Sequence, residues 1–510
     1  MKRIIAIAGL LCALQVNAQS VDEAIRYSWF IQQGTARNVA TGGVMASLGG
    51  DITAAHVNPA GIGLFKTGEF VLTPGMGFNG NKFNYRGNDT SVRKSGFGMG
   101  ASGIILGGGS KYQGSKWTST AISFSVNQLA NYNNRIQFQG LNNVSSFTEQ
   151  YLEELTRDRA DTNAALFNYV FGSSLAFRTF LVDTLRGPSG NFIGYQSLVP
   201  LSTGVKQYYD ATTTGGYNEL ALAMAGNMDD KLYLGGTLTV PIINYSRDLN
   251  YSEYDATNNT NNDFAFFQFR EKLTSRGAGI GAKLGMIYKP QESFRIGVAF
   301  HTPQLLGFRD EIRAWLTANT ENYAGLRTES SDRLRDNAPG RREYNVITPL
   351  RAIVSASYVF REVNDTRMQK GFISADVEYV QYNATRYNAI DQSNNQLNNY
   401  YDLLNQTIKD YYKGNINARM GGELKFNTFM VRAGAAYYGS PYRSADLKAD
   451  RFLVSGGLGY RNKGMFIDLS YAHLFNNAVQ MPYALNDKPN TFAVQKGSIG
   501  NLVMTLGFKF

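Results

Sequence analysis

Cysteine is almost absent from this chain. The single cysteine, Cys12, lies in a segment that begins with Lys2 and Arg3, continues with an apolar run and reaches the small residue Ala18. That pattern is typical of a secretory signal peptide, so we expect residues 1–18 to be removed on export. The exported chain would then contain no thiol, which excludes disulfide bonds, thiolate metal sites and a cysteine nucleophile.

Long hydrophobic runs are also missing. After the predicted signal peptide, no stretch approaches the roughly 18 apolar residues that a membrane-spanning helix needs, and the mean hydropathy is slightly negative. The chain has only 12 prolines but 53 glycines, 31 tyrosines and 31 phenylalanines, a composition that favours many strands and many turns. In an exported chain this composition predicts an outer-membrane β-barrel.

Alternation of apolar and polar residues supports the barrel. From Glu69 onward it recurs in about fourteen segments, and in the last of them Leu502, Met504 and Phe508 share one face. Charged residues such as Asp376 stand on the opposite face, which we therefore expect to line the lumen, because a charge facing lipid is costly. The longest connections are predicted near 140–215, with a helix over the mouth of the barrel, and near 303–343 and 389–412.

Motifs for catalysis and cofactor binding are lacking. Gly98–Gly103 match the GxGxxG pattern, but they lie within a predicted strand and open no helix, so dinucleotide binding is not expected. The three histidines are scattered without ligand spacing. We expect no enzymatic activity, cofactor, metal or nucleic-acid partner. The formal net charge of +10 fits a surface that faces lipopolysaccharide phosphates or anionic ligands, or simply solvated loops with a basic bias.

A glycine-rich stretch precedes the predicted strands. Residues 34–65, called the plug from here on, are too rich in small residues and too often interrupted by glycine for an ordinary helix or strand. Asn58-Pro59-Ala60-Gly61 has the chemistry of a turn, since proline fixes φ and disfavours helix at the residue before it. We predict that the plug lies inside the barrel, with a hatch over 19–67 and the barrel over 68–510.

The plug also carries a family resemblance. Its motif residues resemble the N-terminal hatch of the FadL/TodX family of outer-membrane transporters for long-chain fatty acids and other hydrophobic molecules; they are Gly49, Gly50, Asp51, Asn58, Pro59, Ala60 and Gly61. The resemblance implies a fourteen-stranded barrel whose ligand is captured outside, passed to a site near the hatch and released sideways at a kink in the third strand. It places that kink at Asn131, Asn133 and Asn134. The terminal aromatic residue resembles the signal read by the barrel-assembly machinery.

Three arginines are candidate ligand residues of the lumen. Arg37, Arg419 and Arg432 could pair with a ligand carboxylate, or they could form internal ion pairs with Glu423, Asp468 or Asp376. The leading functional hypothesis is uptake of hydrophobic molecules through hatch rearrangement and lateral exit. The alternatives are a scaffold that docks secretion or surface-assembly partners, and a non-selective porin.

Overall fold

The computed structural model describes residues 21–510 except 111–113, 258, 362–369, 445, 446 and 448. The predicted signal peptide, with Cys12, lies outside the described residues. The barrel strands, several of which are interrupted, are β1 (Glu69–Leu72 and Pro74–Tyr85), β2 (Asn88–Met99 and Ser102–Gly109), β3 (Trp117–Asn131 and Asn134–Asn142), β4 (Val205–Met228), β5 (Leu232–Asp255), β6 (Phe266–Gln291), β7 (Phe294–His301 and Leu305–Asn319), β8 (Gly340–Ile347 and Arg351–Phe360), β9 (Gly371–Gln381 and Arg386–Ala389), β10 (Gly414–Phe426), β11 (Phe429–Tyr438), β12 (Arg451–Asn462), β13 (Met465–Gln480) and β14 (Ala493–Lys509).

Neighbouring strands pair in antiparallel fashion, and β14 pairs with β1 to close the sheet. The result is a closed barrel of 14 strands, which confirms the predicted fold class. The interruption of β1 falls at Thr73, next to Pro74, where a proline cannot donate a ladder hydrogen bond. Thr73 instead donates its N–H to the Ser102 hydroxyl at 2.9 Å.

An apolar belt surrounds the outside of the barrel. Along β5 the outward residues from Leu232 to Ile242 are apolar, apart from Gly236, and from Asn244 onward they are polar. The ten steps from Leu232 to Ile242, each of about 3.4 Å, span about 34 Å along the strand, or roughly 25 Å along the membrane normal at a tilt of about 40°. The belt therefore matches the thickness of an outer membrane.

Several strands continue well beyond the belt. The sequence predicted a loop over 303–343, but Leu305–Asn319 and Gly340–Ile347 are paired strands there, so that prediction was wrong. The cause is a change of exterior chemistry, since Arg309, Glu311 and Arg313 replace apolar residues on the outward face. Alternation persists, but its exposed face is charged because it stands in water.

Helices lie in the plug and in the outer connections. They are α1 (Ala36–Ala40), α2 (Ala54–Val57), α3 (Glu149–Arg157), α4 (Thr162–Phe167), α5 (Ser173–Arg178) and α6 (Asn395–Tyr411), with 3₁₀ turns at Val21–Ile25, Pro59–Leu64 and Tyr382–Ala384. The segment 140–215 thus has three short helices and a small hairpin, Val182–Arg186 with Phe192–Ser197. Elsewhere, a further short strand, Leu326–Ser330, pairs with β7. In the part of the chain that the structure describes, no helix is long and apolar enough to cross a membrane.

Candidate functional site

The plug lies inside the barrel, and none of its side chains is exposed. Its two helices, α1 and α2, are separated by turns, one of which contains Gly42 and Gly43 with φ values of 72° and 86°. A Cβ atom on Gly42 would lie 2.9 Å from the backbone of Ala435 on β11. Only glycine therefore allows this conformation and this approach of the plug to the wall.

Asn58 joins the plug to two wall strands. Its side-chain amide donates to three backbone carbonyls, those of Ala46, Met286 and Val298, at 2.5, 3.1 and 3.3 Å. Its amide oxygen accepts the N–H of Ala60 at 3.2 Å, which caps the 3₁₀ turn that begins at Pro59. One side chain thus fixes the plug to itself and to β6 and β7.

The remaining motif residues hold the fold of the plug itself. Asp51 accepts the Thr53 N–H at 2.9 Å and the Thr35 hydroxyl at 2.7 Å. Gly49 and Gly61 pack backbone against backbone, since a Cβ on Gly49 would lie 2.7 Å from the Gly61 Cα. The Gly50 N–H donates to the Gly61 carbonyl at 3.2 Å. The structure brings all seven motif residues together, and their role in transport stays a prediction.

The plug is bonded to strands on every side of the lumen. Its hydrogen-bond partners on ten different strands are Ser125, Glu219, Thr237, Lys283, Arg295, Ser355, Asp376, Glu423, Ser455 and Thr505. His56 lies between Glu219 at 2.9 Å and Ser125 at 3.0 Å. These three residues are at most 2% exposed, so the arrangement fixes the plug to the wall.

The three candidate arginines are already paired with carboxylates. Arg37 on the plug lies 3.3 Å from Glu423, and Arg432 lies 2.6 Å from both Glu423 and Asp468. Arg419 is 2.8 Å from Glu378 and 3.9 Å from Asp376. The ion pairs that the sequence left as an alternative are present for all three. A ligand role for these arginines stays a prediction, and a ligand would have to compete with the carboxylates.

Glu423 offers a test of how the plug is held. Glu423→Gln removes the charge shared by Arg37 and Arg432, and breaking a buried ion pair costs about 3–5 kcal/mol because it leaves uncompensated charge. We expect faster hydrogen exchange of the amides of α1. Asp248→Asn, which breaks a more exposed pair with Arg270, is the matched control and should leave those amides protected. Equal protection of α1 in both variants would contradict this role.

The wall has a gap between β2 and β3. Their ladder pairs only Ser102–Gly109 with residues 119–126. The outer half of β2, Asn88–Met99, pairs only with β1, and the outer half of β3, Asn134–Asn142, only with β4. The interruption of β3 falls at residues 132 and 133, within the predicted kink. The described residues on the two sides of the gap thus have no backbone ladder between them.

Side chains close this gap. Asn131 donates to the Phe97 carbonyl at 3.0 Å, and the Met99 N–H donates to Gln128 at 3.4 Å. Asn133 occupies the space over Gly96, where a Cβ atom would lie 2.5 Å from its amide nitrogen. A further contact joins β3 to β1, since Asn134 accepts from Asn81 of β1 at 2.8 Å. Polar side chains thus take the place of a backbone hydrogen-bond ladder here, and rotamer changes alone can break their contacts.

A cavity of about 440 Å³ lies behind the gap. It is bounded by the kink, the plug, residues 25–33 and the inner faces of several strands, which include β1, β2, β12, β13 and β14. Its apolar lining includes Ile31, Leu474, Ile499 and Val503. Residues 26–33, which lead into the plug, form no helix, because Tyr27 stacks on Phe308 and Phe30 packs on Tyr217, which lie on different strands.

Two basic residues that the sequence did not single out also line the cavity. Arg451 stands over the ring of Trp29 at 3.4 Å from its centroid and donates to the Trp29 carbonyl at 3.4 Å. Within the described residues, Arg451 has no acidic partner and its Nε atom has no hydrogen-bond acceptor. Arg26 is paired with Glu23 at 3.2 Å. The sequence pattern does not predict the contact between Trp29 and Arg451, because the two residues are far apart in the chain.

A family model decides the identity of this barrel. Residues 214–502, more than half of the chain, match the model described as outer membrane protein transport protein (OMPP1/FadL/TodX). The chain belongs to this family. Its barrel is therefore an outer-membrane transporter of hydrophobic compounds, located in the bacterial outer membrane. No curated protein matches the chain.

Solved structures of the FadL/TodX family share the fold. A FadL homologue from Pseudomonas aeruginosa is 12% identical with a TM-score of 0.53, over 94% of this chain and 99% of the homologue. The toluene transporter TodX of P. putida is 13% identical with a TM-score of 0.51, over 94% and 99% of the two chains. At these identities the likeness shows the architecture alone.

Proposed function

We propose that this transporter takes up long-chain fatty acids or similar monocarboxylate amphiphiles, and that it releases them sideways through the gap between β2 and β3. The observation that carries the proposal is the position of the cavity, which touches both the plug and the kink at Asn131, Asn133 and Asn134. Its volume lies within the range of about 300–1,000 Å³ that small-molecule sites occupy. Rearrangement of the plug would connect the cavity to the outside.

The cavity combines an apolar surface with a positive charge. Arg451 is the best residue for a ligand carboxylate, because it reaches the cavity without an acidic partner among the described residues, whereas Arg37, Arg419 and Arg432 are all paired. A guanidinium can hold a carboxylate through two parallel hydrogen bonds. The alkyl chain would lie against Ile31, Leu474 and Ile499.

Arg451→Leu distinguishes a carboxylate ligand from a hydrocarbon. Loss of a charge-assisted hydrogen bond costs about 1.5–3 kcal/mol, so we expect roughly tenfold or greater loss of oleate uptake in whole cells. Toluene uptake should change little, because toluene has no carboxylate. Arg451→Lys keeps the charge and should retain part of the oleate uptake. Equal loss of both substrates would point to a structural role of Arg451, and unchanged oleate uptake would overturn the fatty-acid assignment.

The proposal also includes the division of the chain. We propose a hatch over residues 19–67 and a barrel over 68–510, following removal of residues 1–18. Assembly would use the barrel-assembly machinery. The hatch supports uptake over a porin function because hydrogen bonds from ten strands hold the plug across the lumen.

A further inference from the structure

An outward-facing basic pair stands at the upper edge of the apolar belt. Arg276 on β6 and Arg309 on β7 are direct cross-strand partners, and both are exposed. The next outward pair towards the membrane centre is Ala278 on β6 with Gly307 on β7. The pair after that is Ile280 with Leu305. The arginines therefore lie where the acyl region of the outer leaflet meets its headgroups.

This pair is electrostatically unsatisfied. Like charges directly opposite on one face of a sheet destabilise the pairing. Among the described residues, the Arg276 side chain forms no ion pair or hydrogen bond, and the Arg309 side chain has only long contacts, 3.7 Å to Glu311 and 3.8 Å to Glu343. Glu311 is itself held by Arg341 at 3.0 Å. An anion between the two guanidiniums would relieve the repulsion.

An exterior groove leads from the arginines towards the membrane. Its floor is made of small residues, Gly277, Ala278 and Gly307, and its sides include Ile242 and Ile390. A Cβ on Gly307 would meet nothing closer than 3.6 Å, so the floor is open. Ile390 is 54% exposed, so its side chain adds to the apolar surface beside the belt. The groove is thus a strip of apolar surface with two cations at its outer end.

We propose that this groove binds a phosphorylated acyl glycolipid of the outer leaflet, namely lipopolysaccharide. A lipid phosphate lies between Arg276 and Arg309, and an acyl chain lies over Ala278 and Gly307. Charge complementarity favours an anion, the fork of a guanidinium suits phosphate oxygens, and continuity with the apolar belt favours an anion that carries acyl chains. The site lies on the outer wall, so it does not depend on the transport route proposed above.

The test compares Arg276→Ala/Arg309→Ala with the unchanged chain. The purified, folded barrels are titrated in detergent with rough lipopolysaccharide, and binding is followed by native mass spectrometry and by the unfolding temperature. We expect at least tenfold weaker binding by the double variant. Lys272→Ala, which removes an outward charge from the same strand beyond the belt, is the matched control and should bind as the unchanged chain does. Heat-modifiable migration on gels confirms that each variant is folded.

Three results would overturn the site. They are equal binding by the double variant and the unchanged chain, equal binding of lipopolysaccharide from which the phosphates have been removed, and full displacement of lipopolysaccharide by millimolar inorganic phosphate, which would indicate a free-phosphate site. Glu343→Gln gives a further check. It removes the acidic group that stands directly opposite Arg309 on β8, so it should strengthen binding several-fold, and weaker binding would contradict the proposed position of the phosphate.

Discussion

Oxidation of the double variant Gly96→Cys/Asn133→Cys is expected to stop uptake through the wall gap. A Cβ on Gly96 would lie 2.9 Å from the Asn133 Cβ, close to the roughly 3.5–4.5 Å of a disulfide, so a shift of about 1 Å suffices. The bond would tie the outer half of β2 to the kink of β3. If ligand leaves between these strands, uptake of labelled oleate should fall at least tenfold and return after reduction.

The chain is well suited to this experiment. Its one cysteine lies in the predicted signal peptide, so the introduced pair would be the only thiols of the exported protein. The matched control is Ala433→Cys/Gly456→Cys, which links the directly opposed residues of β11 and β12 where a full ladder already exists. Oxidation of the control should not affect uptake. Full uptake by the oxidised gap variant would exclude exit between β2 and β3.

The barrel was largely predictable because its rule is local. Alternation needs only neighbouring residues, and the about fourteen segments that it indicated agree with the fourteen strands of the barrel. It was less reliable beyond the belt. There the outward residues Arg309, Glu311 and Arg313 of β7 are charged, so the pattern no longer combined an apolar exterior with a polar interior. For the same reason, the sequence did not predict that β8 begins at Gly340, within the predicted loop.

The interior was harder to predict because its contacts join distant residues. The motif at Asn58 correctly indicated a turn, but nothing in the sequence shows that its amide reaches carbonyls at Met286 and Val298. Gly96 and Gly98 leave space on the inner face of β2. The structure shows that Asn133 and Gln128 occupy part of it, over Gly96 and Gly98. The sequence did not indicate Arg451 as a cavity residue, because the cavity that it reaches is formed partly by residues 25–33, which are distant in the chain.

The gap and the plug together would allow the lateral exit that we propose to proceed without an open pore. The plug is held from ten strands, whereas the gap is closed by a few side-chain hydrogen bonds, such as that from Asn131 to Phe97. Each such bond contributes about 1 kcal/mol net. The weakest boundary of the cavity is therefore the wall towards the lipid, and an apolar ligand gains from entering that medium while ions do not.

Asn58→Ala should make the barrel leak. The substitution removes the two amide N–H donors, which are shared among three carbonyls, and the cap on the 3₁₀ turn, worth together about 3 kcal/mol. A loss of that size raises the population of a displaced plug by about 100-fold, since 1.4 kcal/mol corresponds to a factor of ten. We expect frequent ion-conducting openings in planar bilayers and greater sensitivity of cells to large antibiotics.

Two further variants separate the causes of such leakage. Asn58→Asp keeps the oxygen that caps Ala60 but places a second oxygen against the carbonyls of Ala46, Met286 and Val298, so it should conduct at least as much as Asn58→Ala. Asn250→Ala, at an exposed position of β5, should remain closed. If the folded Asn58 variants conduct no more than the unchanged chain, other contacts hold the plug and Asn58 is not its main anchor. In that case the ion pair between Arg37 and Glu423 becomes the stronger candidate, since it joins α1 to β10 on another side of the lumen.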